Sequence, residues 1–197
     1  MHILLVTLTL AAAEPTATEA LKARDAEVRA VLPPKGTELT PATRQKLENI
    51  LTRAIDLEGV ARSALGKNWE EATPAQRKRF LEAFKQRFRK ATADQFSEDY
   101  RATQVKYFPE VTQEGDVKVP TEVTIKGEPT HIDYVMRRAG SEWRIVDIVV
   151  DDVSTVDNYR SSFGRIIKKE GMDGLIARLN KGTVKQAGEK GGESKTE

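Results

Sequence analysis

The chain has 197 residues and a formal net charge of +2, which is enough length for one domain with a core and too little basic excess to indicate nucleic-acid binding. It contains no cysteine, and this excludes disulfides, thiol catalysis and thiolate metal sites. Its two histidines, His2 and His131, are too few for a histidine zinc site. We therefore expect neither a metal nor a cofactor.

The first residues have the pattern of a secretory signal peptide. An apolar run from Ile3 to Leu10 precedes Ala11-Ala12-Ala13, which is typical of an h-region followed by an A-x-A cleavage site. We predict that residues 1–13 are removed and that the mature chain begins at Glu14. The alternative is a buried first strand or a stray helix end. The run is too short to span a bilayer.

Helical periodicity predicts about four helices in the first half of the chain. Thr40 is expected to cap a helix that has Pro41 at its first position. Another helix ends at Gly66, and Trp69 is expected in the connection that follows. The clearest helix start is Thr73-Pro74-Ala75-Gln76, which matches a capping box.

The helix opened by this capping box carries an aromatic stripe and a basic surface. Phe80, Phe84 and Phe88 share one face because their spacing matches the helical period, and they are either core or the lining of an apolar cavity. The basic residues mostly occupy the rest of the surface: Arg77, Lys78, Arg79, Arg87, Arg89 and Lys90. Because acidic residues interrupt them, we interpret this surface as a solvated face that suits an anionic membrane or an acidic partner.

Alternation of apolar and polar residues then predicts a meander of about four antiparallel strands. These strands lie near Val105–Tyr107, Val117–Ile125, Ile132–Met136 and Trp143–Val150. The last strand is apolar on both faces, so we expect it to be covered on both sides. Helices followed by strands indicate an α+β fold, with several helices packed on one face of a curved, mostly antiparallel sheet.

A helix is predicted after the last strand, with Ser154 as its N-cap. Its inward face carries Val156, Tyr159, Phe163, Ile166 and Ile167. Gly171 is expected to end this helix, and a short amphipathic helix follows as far as Gly182. Residues 182–197 lack periodicity and are rich in Lys, Glu and Gly, so we predict a disordered tail.

Three stretches of the chain, in order from about residue 20 to 180, resemble the MlaC family of periplasmic phospholipid-binding proteins of the toluene-tolerance type. The first is Asp56-x-Glu58-x-x-Ala61-Arg62-x-x-Leu65-Gly66. The second is Ala72-Thr73-Pro74-Ala75-Gln76-Arg77, followed by Phe80 and Phe84-Lys85. The third comprises Trp143-Arg144-x-x-Asp147, Val153-Ser154, Asn158-Tyr159-Arg160-Ser161-Ser162-Phe163 and Gly171-x-x-Gly174-Leu175-Ile176-x-x-Leu179. Where the family has Glu-Gly before Val-Ser, this chain has Asp151-Asp152.

The resemblance implies a periplasmic carrier without catalytic residues, whose domain over residues 14–181 binds phospholipid in an apolar cavity between helices and sheet. It also implies two partners, an outer-membrane lipoprotein complex and an inner-membrane ABC transporter complex, between which lipid moves to maintain outer-membrane lipid asymmetry. The expected lipid-binding residues are Phe80, Phe84, Phe88, Val123, Ile125, Tyr134, Val149, Tyr159, Phe163 and Ile167. Arg160 is the expected headgroup contact at the mouth, unless it pairs with Asp147 or Asp151 or is simply solvated.

Other functions stay open at this point. The chain is alternatively a carrier of another apolar ligand, such as a sterol-like lipid, or a non-carrier interaction module with a filled core. A small isomerase or hydrolase would use Asp133, Asp147 or His131, but no G-x-S-x-G elbow, P-loop or G-x-G-x-x-G motif accompanies them. We interpret Asp147 as the structural partner of an arginine.

Overall fold

The computed structural model describes residues 14–34, 37–95, 103–125 and 127–184, with the backbone alone at 90–95 and at 125. The helices are α1 (Ala17–Val31), α2 (Pro41–Ala54), α3 (Leu57–Leu65), α4 (Lys67–Glu71), α5 (Pro74–Gln95) and α6 (Thr155–Lys181). The strands are β1 (Val105–Tyr107), β2 (Val111–Gln113), β3 (Asp116–Ile125), β4 (Glu128–Ala139), β5 (Glu142–Val150) and β6 (Val153–Ser154). The α+β class expected from the order of the elements is confirmed.

Side-chain caps set the starts of five helices. Thr16, Thr40, Asp56, Thr73 and Ser154 each accept a hydrogen bond from the backbone N–H three residues further on. Such a cap satisfies one of the amide groups that a helix leaves unpaired at its first turn. The starts predicted at Thr40, Thr73 and Ser154 are therefore confirmed, because capping depends only on neighbours in sequence.

We predicted that Trp69 lies in the connection after the helix that ends at Gly66. It lies instead in the short helix α4. Gly66 has φ 53° and ψ −130° and ends α3, and this conformation favours glycine. The chain then turns directly into α4, where Trp69 is buried. The guanidinium groups of Arg62 and Arg77 lie 5.0 and 5.3 Å from the centre of its ring.

The sheet is antiparallel throughout and has six strands in the order β1-β3-β4-β5-β6, with β2 also paired to β3. The prediction of about four strands missed β2 and β6. These strands have three and two residues, too few for an alternating pattern to be recognised.

A β-bulge changes which residues of β5 face the helices. Val135 pairs with Asp147 but Met136 pairs with Ile145, so Val146 is the extra residue. The inserted residue places Ile145 and Ile148 on one face, where both pack in the core, although strict alternation predicted opposite faces. A bulge explains the apolar residues on both sides of this strand, because it switches the facing parity partway along.

The main core lies between α3, α5 and α6 and one face of the sheet, called here the inner face. The inner face carries Val117, Val119, Thr121 and Val123 of β3, Ile132, Tyr134 and Met136 of β4, and Ile145, Ile148 and Val150 of β5. The opposite, outer face carries ion pairs, such as Lys118–Asp133 at 3.1 Å. A smaller cluster of Val28, Leu32, Leu47 and Ile50 joins α1 to α2.

The final helix is broken where the sequence predicted. Gly171 has φ 72° and ψ 177° inside α6, a conformation that favours glycine, and the second segment packs Leu175 and Leu179 into the core. Gly182 then caps the helix in the left-handed conformation. Within the described ranges, none of the helices combines the length and apolar character needed to cross a membrane.

The packed domain extends beyond the predicted boundary at residue 181. The Thr183 N–H donates to the Arg178 carbonyl at 3.0 Å, and this turn directs Val184 into the core, where it is 4% exposed. A capped helix end commonly makes such a hydrophobic contact. The predicted tail therefore starts too early, and its residues 185–197, like the predicted signal peptide at 1–13, lie outside the described residues.

Candidate functional site

Four of the predicted site residues form one aromatic cluster, which consists of Phe80 and Phe84 from α5 and Tyr159 and Phe163 from α6. Their ring centroids are 5.2 to 6.3 Å apart, and three of the five contacts are edge-on. All four side chains are buried, with exposed fractions between 0 and 9%. The members come together because each helix presents two aromatic residues four positions apart, on one face.

The rings of this aromatic cluster pack against one another. Phe84, for example, has Phe80, Tyr159 and Phe163 within 6.3 Å, measured between ring centroids. Aromatic pairs in such edge-to-face contacts stabilise a core beyond their buried area. That these four residues line a lipid cavity stays a prediction, and any ligand space must lie beside the rings.

Half-buried apolar side chains from the helices and the sheet pack against the main core. We call them the apolar seam: Phe88 of α5, Tyr107 of β1, Tyr134 of β4, Ile148 of β5, and Ile166 and Ile167 of α6. All six pack against the main core while keeping some accessible surface. The seam contains three of the predicted site residues, Phe88, Tyr134 and Ile167.

Tyr134 of the apolar seam has a hydroxyl that is largely removed from water. Burial is the main cause that raises the pKa of its hydroxyl to about 12, with smaller contributions from Tyr107 and Asp25. A shift of this size requires protein atoms around the hydroxyl on most sides, yet the side chain is only half-buried. Tyr134 thus combines a hydroxyl that burial removes largely from water with a side chain that keeps some accessible surface.

Polar residues of α1 lie close to Tyr107 of the apolar seam. Burial, and after it the charge of Asp25, raises the pKa of Tyr107, while Arg29 opposes the shift. Asp25 and Arg29 pair with each other at 2.7 Å, and the Lys22 ammonium lies 4.9 Å from the centre of the Tyr107 ring. An i, i+4 ion pair is visible in the sequence, but nothing local indicates that α1 packs beside β1.

The remaining predicted strand residues separate. Val123 is buried on the inner face, in register with Thr130. Val149 lies opposite Asp133, whereas Ile148 lies opposite Tyr134, so Val149 is on the outer face, away from Tyr134. The side chain of Ile125 is outside the described part of the chain. Because of the bulge at Val146, Val149 lies on the opposite face from Ile145, with which strict alternation groups it.

Arg160, the expected headgroup contact, makes contacts within the protein. Its Nε donates to the Ser63 carbonyl at 3.0 Å and its Nη1 pairs with Asp157 at 2.5 Å, so the alternative partners Asp147 and Asp151 are wrong. The side chain passes close to Gly66, where a Cβ would lie 3.4 Å from its Cδ. Arg160 thus connects α6 to the end of α3, although half of its side chain stays accessible.

Asp147 has a structural role, but its partners differ from the arginine predicted. Its carboxylate accepts hydrogen bonds from Ser154 Oγ at 2.5 Å, from Ile148 N at 2.8 Å and from Val156 N at 3.0 Å. The last of these groups is at the first turn of α6, where a negative charge is favoured by the helix dipole. Asp147 therefore joins β5 to the start of α6.

Two of the candidate catalytic residues, Asp133 and His131, face outward. Asp133 pairs with Lys118 at 3.1 Å, and His131 lies 4.0 Å from Glu122. In the described part of the chain, neither side chain hydrogen-bonds to a serine, as a hydrolase triad requires. No group of three or more His, Asp or Glu residues in these ranges is arranged to hold a metal ion.

The family model for the MlaC protein matches residues 25–181 of the chain. The chain belongs to the MlaC family. Among solved structures, it is similar to the phospholipid-binding protein from Ralstonia solanacearum in complex with a phospholipid, with 24% identity and a TM-score of 0.71. That alignment covers 85% of this chain and 97% of the other, and it shows a shared fold. No curated protein matches the chain.

This MlaC family member also has an open groove outside the main core. It has a volume of about 560 Å³ and lies between α1 and α2, lined by Val31, Lys46, Asn49, Ile50, Thr52 and Arg53. Its residues belong to neither the aromatic cluster nor the apolar seam. The sequence pattern gave no indication of this groove.

Proposed function

We propose that this MlaC family member is a periplasmic carrier that binds phospholipid acyl chains in an apolar site at the apolar seam. The observation that carries the proposal is the match of the MlaC family model to residues 25–181. The half-buried side chains of the apolar seam, Tyr134 among them, offer apolar surface for acyl chains. The fold shared with a protein solved in complex with a phospholipid supports the same ligand class.

The energetics of such a carrier require no catalytic residue. Each buried methylene contributes about 0.8 kcal/mol, so roughly ten methylenes of one acyl chain give several kcal/mol after ordering costs. The phosphate would need a charged or polar partner, or water, since burying it unpaired costs far more. Shielding the tails is then sufficient for movement through an aqueous compartment.

We further propose that the carrier exchanges lipid with an outer-membrane lipoprotein complex and an inner-membrane ABC transporter complex. The exposed basic residues of α5, such as Lys78 and Arg89, suit an acidic partner or an anionic membrane. Export would depend on cleavage after Ala13. Such cleavage would keep Glu14, which pairs with Arg138, and Pro15, whose carbonyl accepts a hydrogen bond from the Trp143 indole at 2.9 Å.

One rival function is favoured by a specific observation. The four rings of the aromatic cluster pack closely, as expected for an interaction module with a filled core. Mass spectrometry of lipid extracted from the purified protein separates the two: bound glycerophospholipid supports the carrier, and a different apolar molecule supports a carrier of another ligand. No extracted lipid and no uptake from phosphatidylglycerol vesicles would support the interaction module.

Two adjacent residues of β5 provide matched variants for the proposed site. Ile148→Trp adds a large side chain on the inner face, so we expect it to reduce phospholipid uptake from vesicles several-fold. Val149→Trp makes a similar change on the outer face and should leave uptake near the wild-type level. Equal uptake by both variants, with thermal melts near wild type, would contradict a ligand space beside Ile148.

A further inference from the structure

The sequence pattern placed Arg87 on the basic outer surface of α5. The structure places it on the buried side of this helix instead. It follows Phe80 by seven residues, Ala83 by four and Phe84 by three, and these three residues are 0 to 3% exposed. Residues at these spacings share a helix face. Arg87 therefore extends the buried stripe of α5 by one turn, and its side chain is half-buried.

The guanidinium of Arg87 has an unsatisfied hydrogen-bond donor. Its Nε is buried and has no hydrogen-bond partner, and no ion pair to this side chain is present within the described ranges. By contrast, Arg77 donates to the carbonyls of Trp69 and Glu70, and Arg79 pairs with Asp173 at 2.6 Å. Buried donors in folded proteins are nearly always paired, and those of a charged group are the most costly to leave unpaired.

The surroundings of Arg87 are suited to an amphiphilic ligand. The preceding turn contains Phe84 of the aromatic cluster, and the next residue is Phe88 of the apolar seam. Arginine stays charged at all physiological pH values, and its planar fork of N–H groups matches phosphate or carboxylate oxygens. Because protein atoms cover Nε, an anion would contact the terminal Nη groups and stabilise the charge of the guanidinium from there. A molecule with apolar chains and an anionic group therefore suits these surroundings.

We propose that Arg87 binds the phosphate of the phospholipid that this protein carries, an inference that rests on the proposed function. The phosphate oxygens accept hydrogen bonds from the guanidinium, and the acyl chains extend along the apolar seam from Phe88. Arg87 is better placed for this contact than Arg160, because Arg160 already donates to Ser63 and pairs with Asp157.

The test compares Arg87→Met with Arg89→Met in the full chain. Arg89 lies two residues further along α5 and is exposed, so its replacement removes the same charge from the outer surface. Delipidated protein is incubated with vesicles of phosphatidylglycerol containing dioleoylglycerol, a lipid with acyl chains and no phosphate. The lipid bound to the re-purified protein is then quantified by mass spectrometry.

Arg87→Met should lower phospholipid retention by about tenfold or more, as expected for loss of a charge-assisted contact. Any binding of dioleoylglycerol should not change, and Arg89→Met should retain phospholipid like the wild type. The lipid-free Arg87→Met protein should melt at the same temperature or about 2–4 °C higher, because an unpaired buried donor is removed. Arg87→Lys keeps the charge and should recover part of the retention.

Other outcomes would overturn the proposal in distinguishable ways. If Arg87→Met retains phospholipid, Arg87 does not contact the phosphate. If the variant loses both lipids and melts at a lower temperature, the role of Arg87 is structural. If wild-type protein takes up oleate in preference to phospholipid, the anion is a carboxylate. If millimolar inorganic phosphate raises the melting temperature as much as phospholipid does, the ligand is free phosphate. Absence of any lipid on the wild type would instead contradict the proposed carrier function.

Discussion

The aromatic cluster and the apolar seam contain similar residue types but differ in how completely their own side chains fill the space around them. Phe80 and Phe163 are 0% exposed and touch each other at 5.8 Å between centroids. Phe88, Tyr134 and Ile167 pack against the same core but remain half-buried. A side chain can contribute to lipid binding only where protein neighbours leave some of its surface open. The comparison therefore favours a stabilising role for the cluster and is consistent with the ligand site that we propose at the seam.

The largest expected effect separates Phe84 from Phe88 on the same helix. Phe84→Ala removes a ring with three aromatic neighbours and should lower the free energy of unfolding of the lipid-free protein by about 3–5 kcal/mol. Phe88→Ala should cost less than half of that and reduce lipid retention more. Urea denaturation measures the first effect and lipid extraction the second.

The reverse pattern would return Phe84 to the ligand site. If Phe84→Ala costs about 1 kcal/mol, well below the range for a buried phenylalanine, and lipid retention is lost, then its ring faces acyl chains, as the sequence analysis allowed. A folded Phe84→Arg variant without lipid would support the same conclusion.

A smaller effect on the free energy of unfolding is expected from the buried hydroxyl of Tyr134. Because its pKa is raised from 10.0 to about 12, the neutral hydroxyl is favoured in the folded state. Its contribution is present below pH 10 and is lost between pH 10 and 12, at up to about 1.4 kcal/mol per pH unit. Tyr134→Phe should flatten this part of the curve of unfolding free energy against pH, with any remaining slope attributed to Tyr107 and other groups.

Free exchange of the Tyr134 hydroxyl with water would give a different curve. The slopes of unfolding free energy against pH would then coincide for wild type and Tyr134→Phe between pH 10 and 12. This result would show that the Tyr134 hydroxyl is in contact with bulk solvent. An ultraviolet titration of tyrosinate provides an independent check, since the Tyr134 hydroxyl should ionise near pH 12.

The smallest expected effect concerns where the filled part of the molecule ends. Val184 is 4% exposed in the main core, so deletion of residues 182–197 should destabilise the protein by about 1–3 kcal/mol, the value of burying one valine side chain together with a helix cap. Deletion of residues 185–197 alone is the control and should change the melting temperature by less than a degree or two. Equal effects of the two deletions would show that Val184 adds nothing.

Much of the fold could be predicted from sequence because the signals were local. Thr73 and Gln76 form their capping box as predicted, and Gly171 breaks the last helix where the apolar pattern changes. The strands of β3 to β5 alternate strongly enough to be recognised. The short elements α4, β2 and β6 were missed, since two to five residues show no periodicity.

The candidate site was predictable only in part. The aromatic residues of α5 and α6 converge because each lies on an apolar helix face. Val149 was chosen in place of Ile148, since alternation along β5 gave no sign of a bulge whose partner is in β4. Arg87 was assigned to the outer surface by its charge, although its spacing from Phe80 places it on the buried face.

The sequence by itself determined the class of fold, most helix boundaries and membership of a family, because capping, periodicity and motif order are properties of neighbouring residues. Only the tertiary structure decided which apolar side chains fill the core and which keep accessible surface. It also decided the partners of Arg160 and the isolation of Arg87. The physical reason is that burial and hydrogen-bond satisfaction depend on segments far apart in the chain, such as α3 against α6 and β4 against β5.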